Sequence, residues 1–538
     1  MRRAWMVAGI ACLALLLAHH FAAGAEQAQR APEQVDLLFR GGTVVDGSGS
    51  AGRKADVGIR GERIVFVGDA ARAGLAAAKT MDATGLIVAP GFVDTHTHTA
   101  EDLSSPERKS NVNFLMQGVT TVVTGNDGGG PVHPAPTLRH WEEQGIGTNA
   151  ALLVGHGAVR REVLGNADAQ PTAEQLEKMK ALVRGAMEEG AFGLSTGLFY
   201  VPGSFAKTEE VIALAKVAAV LGGIYDSHLR DEDSYSVGLL GAIEEAIRIG
   251  REAKIHVNIS HIKALGPLVW GQSTRAIELI RKARAEGISL TADQYPYVAS
   301  GSSLTSSLLP AWAQAGPREE VLARLSDPAV RAKLLAEMAE NLKRRAGPEA
   351  ILFRSSDAPE LRGRTLAMVA KERKQTPLEA ALDIILHAYR ERQGRGLAIV
   401  SFNMNEDDVV RFLQQDFVMT GSDGSRGHPR MYGTYPRKYR VYVAEKKVLT
   451  LPVFVQRSSG MPAEVFRIPE RGLLRAGYFA DVIAFDPAAF ADRATFEHPE
   501  ELAVGMKYVV VNGRLVVENG HFNGTLAGRP LRKQPRKP

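Results

Sequence analysis

The chain has 538 residues, 45% of them hydrophobic and 23% charged, with a net charge of +5. This is an ordinary globular composition, long enough for a large core beside a smaller unit. So small an excess, with one basic run in the tail from Arg532 to Lys537, does not support nucleic-acid binding.

Residues 1–25 predict a secretory signal peptide. Arg2-Arg3 open it, Met6 to Leu17 form its apolar core, and Ala23-Gly24-Ala25 offer a small-residue cleavage site. The apolar core is short for a membrane span. The mature protein is therefore expected to be periplasmic or secreted, free of the membrane, with a net charge of +3 once Arg2 and Arg3 are gone. Cys12, the one cysteine, leaves with this segment, so no disulfide or thiolate ligand remains.

Residues 26–88 alternate short apolar runs with turns, as in Val35 to Phe39 and Ile64 to Val67, and read as strands. Residues 451–538 close with a similar pattern, Val482 to Phe485 and Val509 to Val517. The two ends are expected to build one small β-sandwich.

Between them the sequence repeats. Apolar runs end on polar or histidine residues at His96, Asp127, His156, Ser195, His228, His261 and Asp293, 29 to 39 residues apart. Helical patterns lie between, such as Thr172 to Glu189 and Leu239 to Ala253. This βα cadence over residues 89–300 gives seven strands. An eighth, Phe417 to Thr420 before Asp423, falls in residues 401–450. The fold class is therefore α/β, a (β/α)8 TIM-type barrel. Residues 301–400, including the helical stretches Arg318 to Arg345 and Pro377 to Arg392, read as a helix-rich insertion over the barrel mouth.

Active sites of such barrels gather at the C-terminal strand ends. In Gly91-Phe92-Val93-Asp94-Thr95-His96-Thr97-His98, strand alternation points both imidazoles one way. With His228, His261 and the carboxylates of Asp127 and Asp423, they make a donor set suited to zinc or a similar divalent ion. Arg230 and Lys263 each lie two residues past a histidine and share its face if the strand continues. Either is able to hold a substrate carboxylate or to form a structural ion pair with Asp231 or Glu232. His156 reads as standing behind the ligands, and Asp94 as orienting one of them.

The chain resembles the amidohydrolase superfamily and, within it, the D-aminoacylases (N-acyl-D-amino-acid deacylases), from about Val35 to Arg532. The carrying motifs are Gly91 to His98, Gly118 to Asn126, Gly193 to Leu198, Ser227 to Glu232, Ile259 to Lys263, Tyr295-Pro296-Tyr297, Gly421 to Gly424 with His428 to Thr434, and Arg471 to Gly477. The resemblance implies that His228 and His261 hold the tighter zinc, that His96 and His98 face a weaker second metal position, and that Asp423 is the general acid/base. It implies that Lys263 and Tyr295, with Ser300 or Ser302, hold the substrate carboxylate. Asp127 stands where these relatives carry a metal-binding cysteine, which leaves metal number and identity open to other divalent ions. The implied reaction is hydrolysis of the amide of an N-acyl-D-amino acid, a small-molecule substrate. A dipeptide or cyclic amide such as a hydantoin is the alternative, though relatives of that kind use a lysine on the fourth strand, where this chain has Ser195. A non-catalytic metal- or solute-binding protein would have no use for Asp423. Oligomeric state is not readable.

Overall fold

The computed structural model describes residues 34–354, 358–392 and 397–534. The expected signal peptide, residues 1–25, and the last residues of the basic tail lie outside them.

Eight parallel strands carry the central layer. They are β1 (Phe92–Thr97), β2 (Val119–Thr124), β3 (Asn149–Leu152, resuming at Val154–Gly155), β4 (Gly193–Gly197), β5 (Ile224–His228), β6 (Val257–Ile259), β7 (Leu290–Gln294) and β8 (Val418–Thr420). Every residue in them is buried, the mark of a parallel sheet covered on its outer face and packed within. β1 to β3 pair in sequence, and the second segment of β3 pairs on through β4, β5, β6 and β7 to β8. Two seams interrupt the ladder. Leu153 breaks β3, but its amide still donates to Thr124 O at 3.0 Å. β8 meets β1 just past its end, where Asp423 N donates to His96 O at 2.8 Å and His98 N to Gly424 O at 2.9 Å.

Helices cover the strands where their apolar faces demand it. Ala173–Glu188 starts at Thr172, whose hydroxyl and Gln175 form a reciprocal capping box. It buries Met179, Val183, Ala186 and Met187, one helical stripe. Each large side chain buried there contributes about 1.5–3 kcal/mol. Thr208–Val220, Gly238–Ala253 and Ser273–Ala285 repeat the arrangement. Leu194, Tyr225, Val257 and Leu290 of the strands meet Leu214, Ile243 and Ile280 of the helices in one core.

Both chain ends enter one nine-stranded sheet. Ile87–Pro90 pairs in parallel with Gln34–Val44 and antiparallel with Val482–Phe485, fastening one end to the other. A buried polar clip ties this sheet to the barrel: Asp481 accepts from Arg471 and from Asn149 of β3, and Asn512 Nδ2 donates to Asn149 Oδ1 at 2.8 Å. Helices Leu451–Ser458 and Gly460–Val465 pack on β1 and β8. The barrel layer thus runs past residue 450, and strand structure resumes at Val482.

The segment after β7 forms a three-stranded antiparallel sheet, Ser300–Ser303, Ile351–Phe353 and Ala398–Ser401, and five helices with their own core. The helical stretch read over Arg318 to Arg345 is two helices. Asp327 caps the second through Ala329 N, and Pro328, which has no amide hydrogen, starts it.

Candidate active site

The candidate ligands sit where the chain leaves the strands, and three of them have a backbone that L-residues rarely adopt. φ is +55° at Asp127, +35° at His261 and +48° at Asp423. Such strain persists where the surroundings over-determine it and gathers at functional sites. Around Asp127 the glycines supply the room. A Cβ at Gly130 would lie 1.9 Å from Leu153 O, and one at Gly128 3.0 Å from Gly197 N. The loop therefore folds flat against β3 and β4 and turns Asp127 inward. Asp94, below, accepts from Ser422 N at 2.9 Å and His96 N at 3.2 Å, fixing the β1 histidine against the Asp423 turn.

Two groups of donors share Asp127. One is His96, His98, Asp127 and Asp423; the other is Asp127, His228 and His261; within each group the donor atoms lie within 4.8 Å of one another. Asp127 Oδ1 is 3.4 Å from His96 Nε2, 3.7 Å from His228 Nδ1 and 3.5 Å from His261 Nε2, and Oδ2 is 3.4 Å from His98 Nε2. His228 Nδ1 and His261 Nε2 are 2.9 Å apart.

The residues fit a divalent ion on two counts. Both ring nitrogens of His96 and Oδ1 of Asp127 are buried without a hydrogen-bond partner among the described residues, which is costly unless something else satisfies them. The charge states of the donors are the second count, with Asp127 ionised and His228 neutral. Burial alone would raise the Asp127 carboxyl, but His96 and His228 outweigh it and hold it well below the usual range. Burial and Lys263 would lower His261, yet Glu232, Asp423 and Asp127 drive it up to about 10. Burial keeps His228 low, at about 4, and so neutral, as a ligand imidazole must be.

Asp423 completes the group. Its Oδ1 is 3.1 Å from His98 Nε2, and its Oδ2 is 2.8 Å from Arg430 Nη1. Burial would raise this carboxyl as well; Arg430 and His261 hold it well below the ordinary range. His98, Asp127, His228, His261 and Asp423 floor a pocket of about 310 Å³, which also exposes Lys263, Tyr295 and Ser300. Lys263 Nζ bridges Glu232 Oε1 at 2.6 Å and His261 Nδ1 at 2.7 Å. Ser300 Oγ donates to Asn403 Oδ1 at 3.0 Å. Phe199 and Tyr200 form part of the wall.

Two expected roles are corrected. Arg230 does not face the metal pocket. β5 stops at His228, so the alternation rule lapses, and Arg230 forms a two-pronged pair with Glu245 at 2.8 Å while donating to Ser204 O and Ala206 O. His156 does not orient a ligand. Its Nε2 pairs with Glu210 at 2.8 Å, Arg160 takes the other Glu210 oxygen, and this buried trio joins His156–Leu164 to Thr208–Val220.

Arg430, Arg345 and Arg354 line the pocket without having been expected there, and Glu232, expected only as an ion-pair partner, lines it too and pairs with Lys263. Glu232 and Arg430 lay inside quoted motifs, and a charge so close to a candidate ligand was the available signal. Arg345 and Arg354 carried none.

An amidohydrolase family model matches residues 79–517. D-aminoacylase of Alcaligenes xylosoxydans xylosoxydans is 37% identical, covering 92% of this chain and 97% of its own. N-acyl-D-glutamate deacylase of the same organism is 33% identical over 89% and 93%. Among solved structures, a D-aminoacylase superposes with a TM-score of 0.79 at 34% identity, over 93% of this chain and all of that one. An N-acyl-D-glutamate deacylase from Bordetella bronchiseptica, held with zinc and a phosphonate mimic of the tetrahedral intermediate, gives 0.78 at 32%, with the same coverage. D-hydantoinase, at 15% identity and a TM-score of 0.55, shares the fold. With a family model over most of the chain and relatives above 30% identity along nearly its full length, this protein belongs to the amidohydrolase family, in the branch of the D-aminoacylases and N-acyl-D-amino-acid deacylases.

Proposed function

We propose that this protein hydrolyses the amide of N-acyl-D-amino acids, releasing a carboxylate and a free D-amino acid. The observation that carries the proposal is the meeting of two donor groups at Asp127, with Asp423 beside them. His228 and His261 with Asp127 would hold one divalent ion; His96 and His98 with Asp127 would hold a second, weaker one. Such an ion lowers the pKa of water and polarises the amide carbonyl.

The chain's own residues supply the rest. Asp423 is ionised at neutral pH, because Arg430 and His98 stabilise its charge. It takes a proton from the attacking water and delivers it to the amine nitrogen as the C–N bond breaks. Lys263, Tyr295 and Ser300 face the same cavity and hold the α-carboxylate, which keeps the scissile bond oriented. Burial of the pocket floor makes each of these charges act more strongly than it would in water.

Zinc suits the imidazole ligands, and the hard oxygen of Asp127 widens the choice to cobalt or manganese. Preference for the D-isomer is supported by the relatives' activities. The cyclic-amide alternative is disfavoured because the fourth strand presents Ser195, whose Oγ donates to Gly125 O at 2.5 Å, and no lysine. Export is supported by the charged, apolar and small-residue sequence of positions 1–25; fusing residues 1–30 to a reporter that works only outside the cytoplasm tests it. The catalytic reading is tested by stripping the protein with a chelator and restoring zinc. Activity on N-acetyl-D-methionine or N-acetyl-D-glutamate must vanish and return; activity that survives full metal removal refutes the reading.

A further inference from the structure

Among the described residues, every carboxylate lining the pocket is accounted for, but not every cation. Lys263 is paired with Glu232, Arg430 with Asp423, and Asp127 sits among the imidazoles. Arg345 and Arg354 have no carboxylate within ion-pairing distance among the described residues; Arg354 is engaged by the carbonyls of Ile399 and Arg426 and by Ser425 Oγ, whereas the side chain of Arg345 has a single hydrogen-bond partner. It is 2% exposed, yet it lines the pocket. Its Nε donates to Tyr235 Oη at 2.8 Å, and its Cζ lies 5.8 Å from the centre of the Phe199 ring and 5.6 Å from that of Tyr235.

The remaining donors of that guanidinium, four N–H on two nitrogens, have no acceptor among the described residues. Burying a cation is costly without a counter-charge. The aromatic faces of Phe199 and Tyr235 reduce that cost and hold the plane of the guanidinium in place. The arrangement is a fork held ready beside the cavity, with nothing in its grip. Lys263, the group expected to hold the α-carboxylate, belongs to a different part of the wall. It is fixed to His261 and Glu232, whereas Arg345 is fixed to Tyr235 and ends the helix Pro328–Arg344 of the insertion.

A substrate with one carboxylate would leave Arg345 buried and unpaired, and a substrate with two would satisfy it. We propose that Arg345 is the residue that selects an acidic side chain, so that the preferred substrates are dicarboxylic N-acyl-D-amino acids, of the N-acyl-D-glutamate or N-acyl-D-aspartate kind. The inference rests on the deacylase reading above. It makes the insertion a specificity element as well as a cover for the barrel mouth.

The experiment compares N-acetyl-D-glutamate, N-acetyl-D-aspartate, N-acetyl-D-methionine and N-acetyl-D-leucine on the full-length, metal-loaded protein and on Arg345→Met. The wild type should turn over an acidic substrate with kcat/KM at least about tenfold above the neutral ones. R345M should lose about 100-fold on the acidic substrates, chiefly through KM, and keep the neutral rates within about threefold. Retained neutral rates show that the variant folds. A second readout does not need turnover: glutarate should raise the melting temperature of the wild type more than butyrate does. A wild type that prefers neutral substrates, or an R345M that loses both classes alike while still folded, overturns the proposal and leaves the deacylase reading standing. Turnover of none of the four overturns the deacylase reading itself.

Discussion

Replacing Asp127 with asparagine removes one negative charge from the junction of two donor groups and keeps the shape. Asparagine is the better probe than alanine, because it tolerates the left-handed backbone at this position (φ +55°), whereas alanine adds about 1 kcal/mol of backbone strain. The lost carboxylate lies 3.4–3.7 Å from four imidazole nitrogens. Removing one partner from a buried charged contact costs about 3–5 kcal/mol, which corresponds to metal binding weaker by between about 10²- and 10⁴-fold. Titrating metal-free protein with zinc or cobalt, with metal content counted by elemental analysis, measures it directly. D127N should bind fewer ions per chain, or bind them more weakly by that factor, and lose activity in step. An unchanged stoichiometry and affinity with full activity would refute the assignment of Asp127 as a shared ligand. Asp127→Cys should restore metal binding and move preference toward softer ions such as zinc or cadmium relative to manganese.

Asp423→Asn should leave the metal content intact and lower kcat by about 10²- to 10⁴-fold, the usual worth of a proton-transferring group; equal loss of metal would assign it a ligand role instead. Arg230→Ala, which breaks the pair with Glu245 at 2.8 Å, should destabilise the fold by about 3–5 kcal/mol in urea unfolding and leave the KM of the folded protein unchanged. Lys438, fully buried with its Nζ on Thr420 Oγ1 at 2.9 Å, is pushed down to about 7 by burial and by the nearby Arg457. Between pH ~7 and its unfolded value of ~10.4, the unfolded chain binds the extra proton, so this residue makes stability rise with pH by up to about 1.4 kcal/mol per unit. Lys438→Met should flatten that rise; an identical pH slope in both proteins would contradict the assignment.

The barrel was legible because its strands are buried on both faces. That makes them apolar runs with chemistry-bearing residues at their ends, and His96, His98, Asp127, His228, His261 and Asp423 were all found in this way. Strand alternation served well inside β1 and failed past the end of β5, where the backbone turns and sends Arg230 to Glu245. Lys263 lies still further past its strand, four residues beyond the end of β6, yet it faces the pocket, because Glu232 and His261 hold it there. Which side a charge takes after a strand ends is a tertiary matter that local period does not encode. The insertion shows the same limit. Its helices could be read from their pattern, with the Asp327-Pro328 break hidden inside one stretch. That Arg345, at the end of one of those helices, enters the cavity depends on how the insertion packs over the barrel.

The most direct test of the central claim is a stereochemical one. Racemic N-acetyl-glutamate and N-acetyl-methionine are incubated with the zinc-loaded protein, and the free amino acid is resolved by chiral chromatography. Only the D-isomer should be released, and only while metal is bound. Release of both isomers at similar rates, or of neither by a protein carrying its full metal content, would contradict the claim.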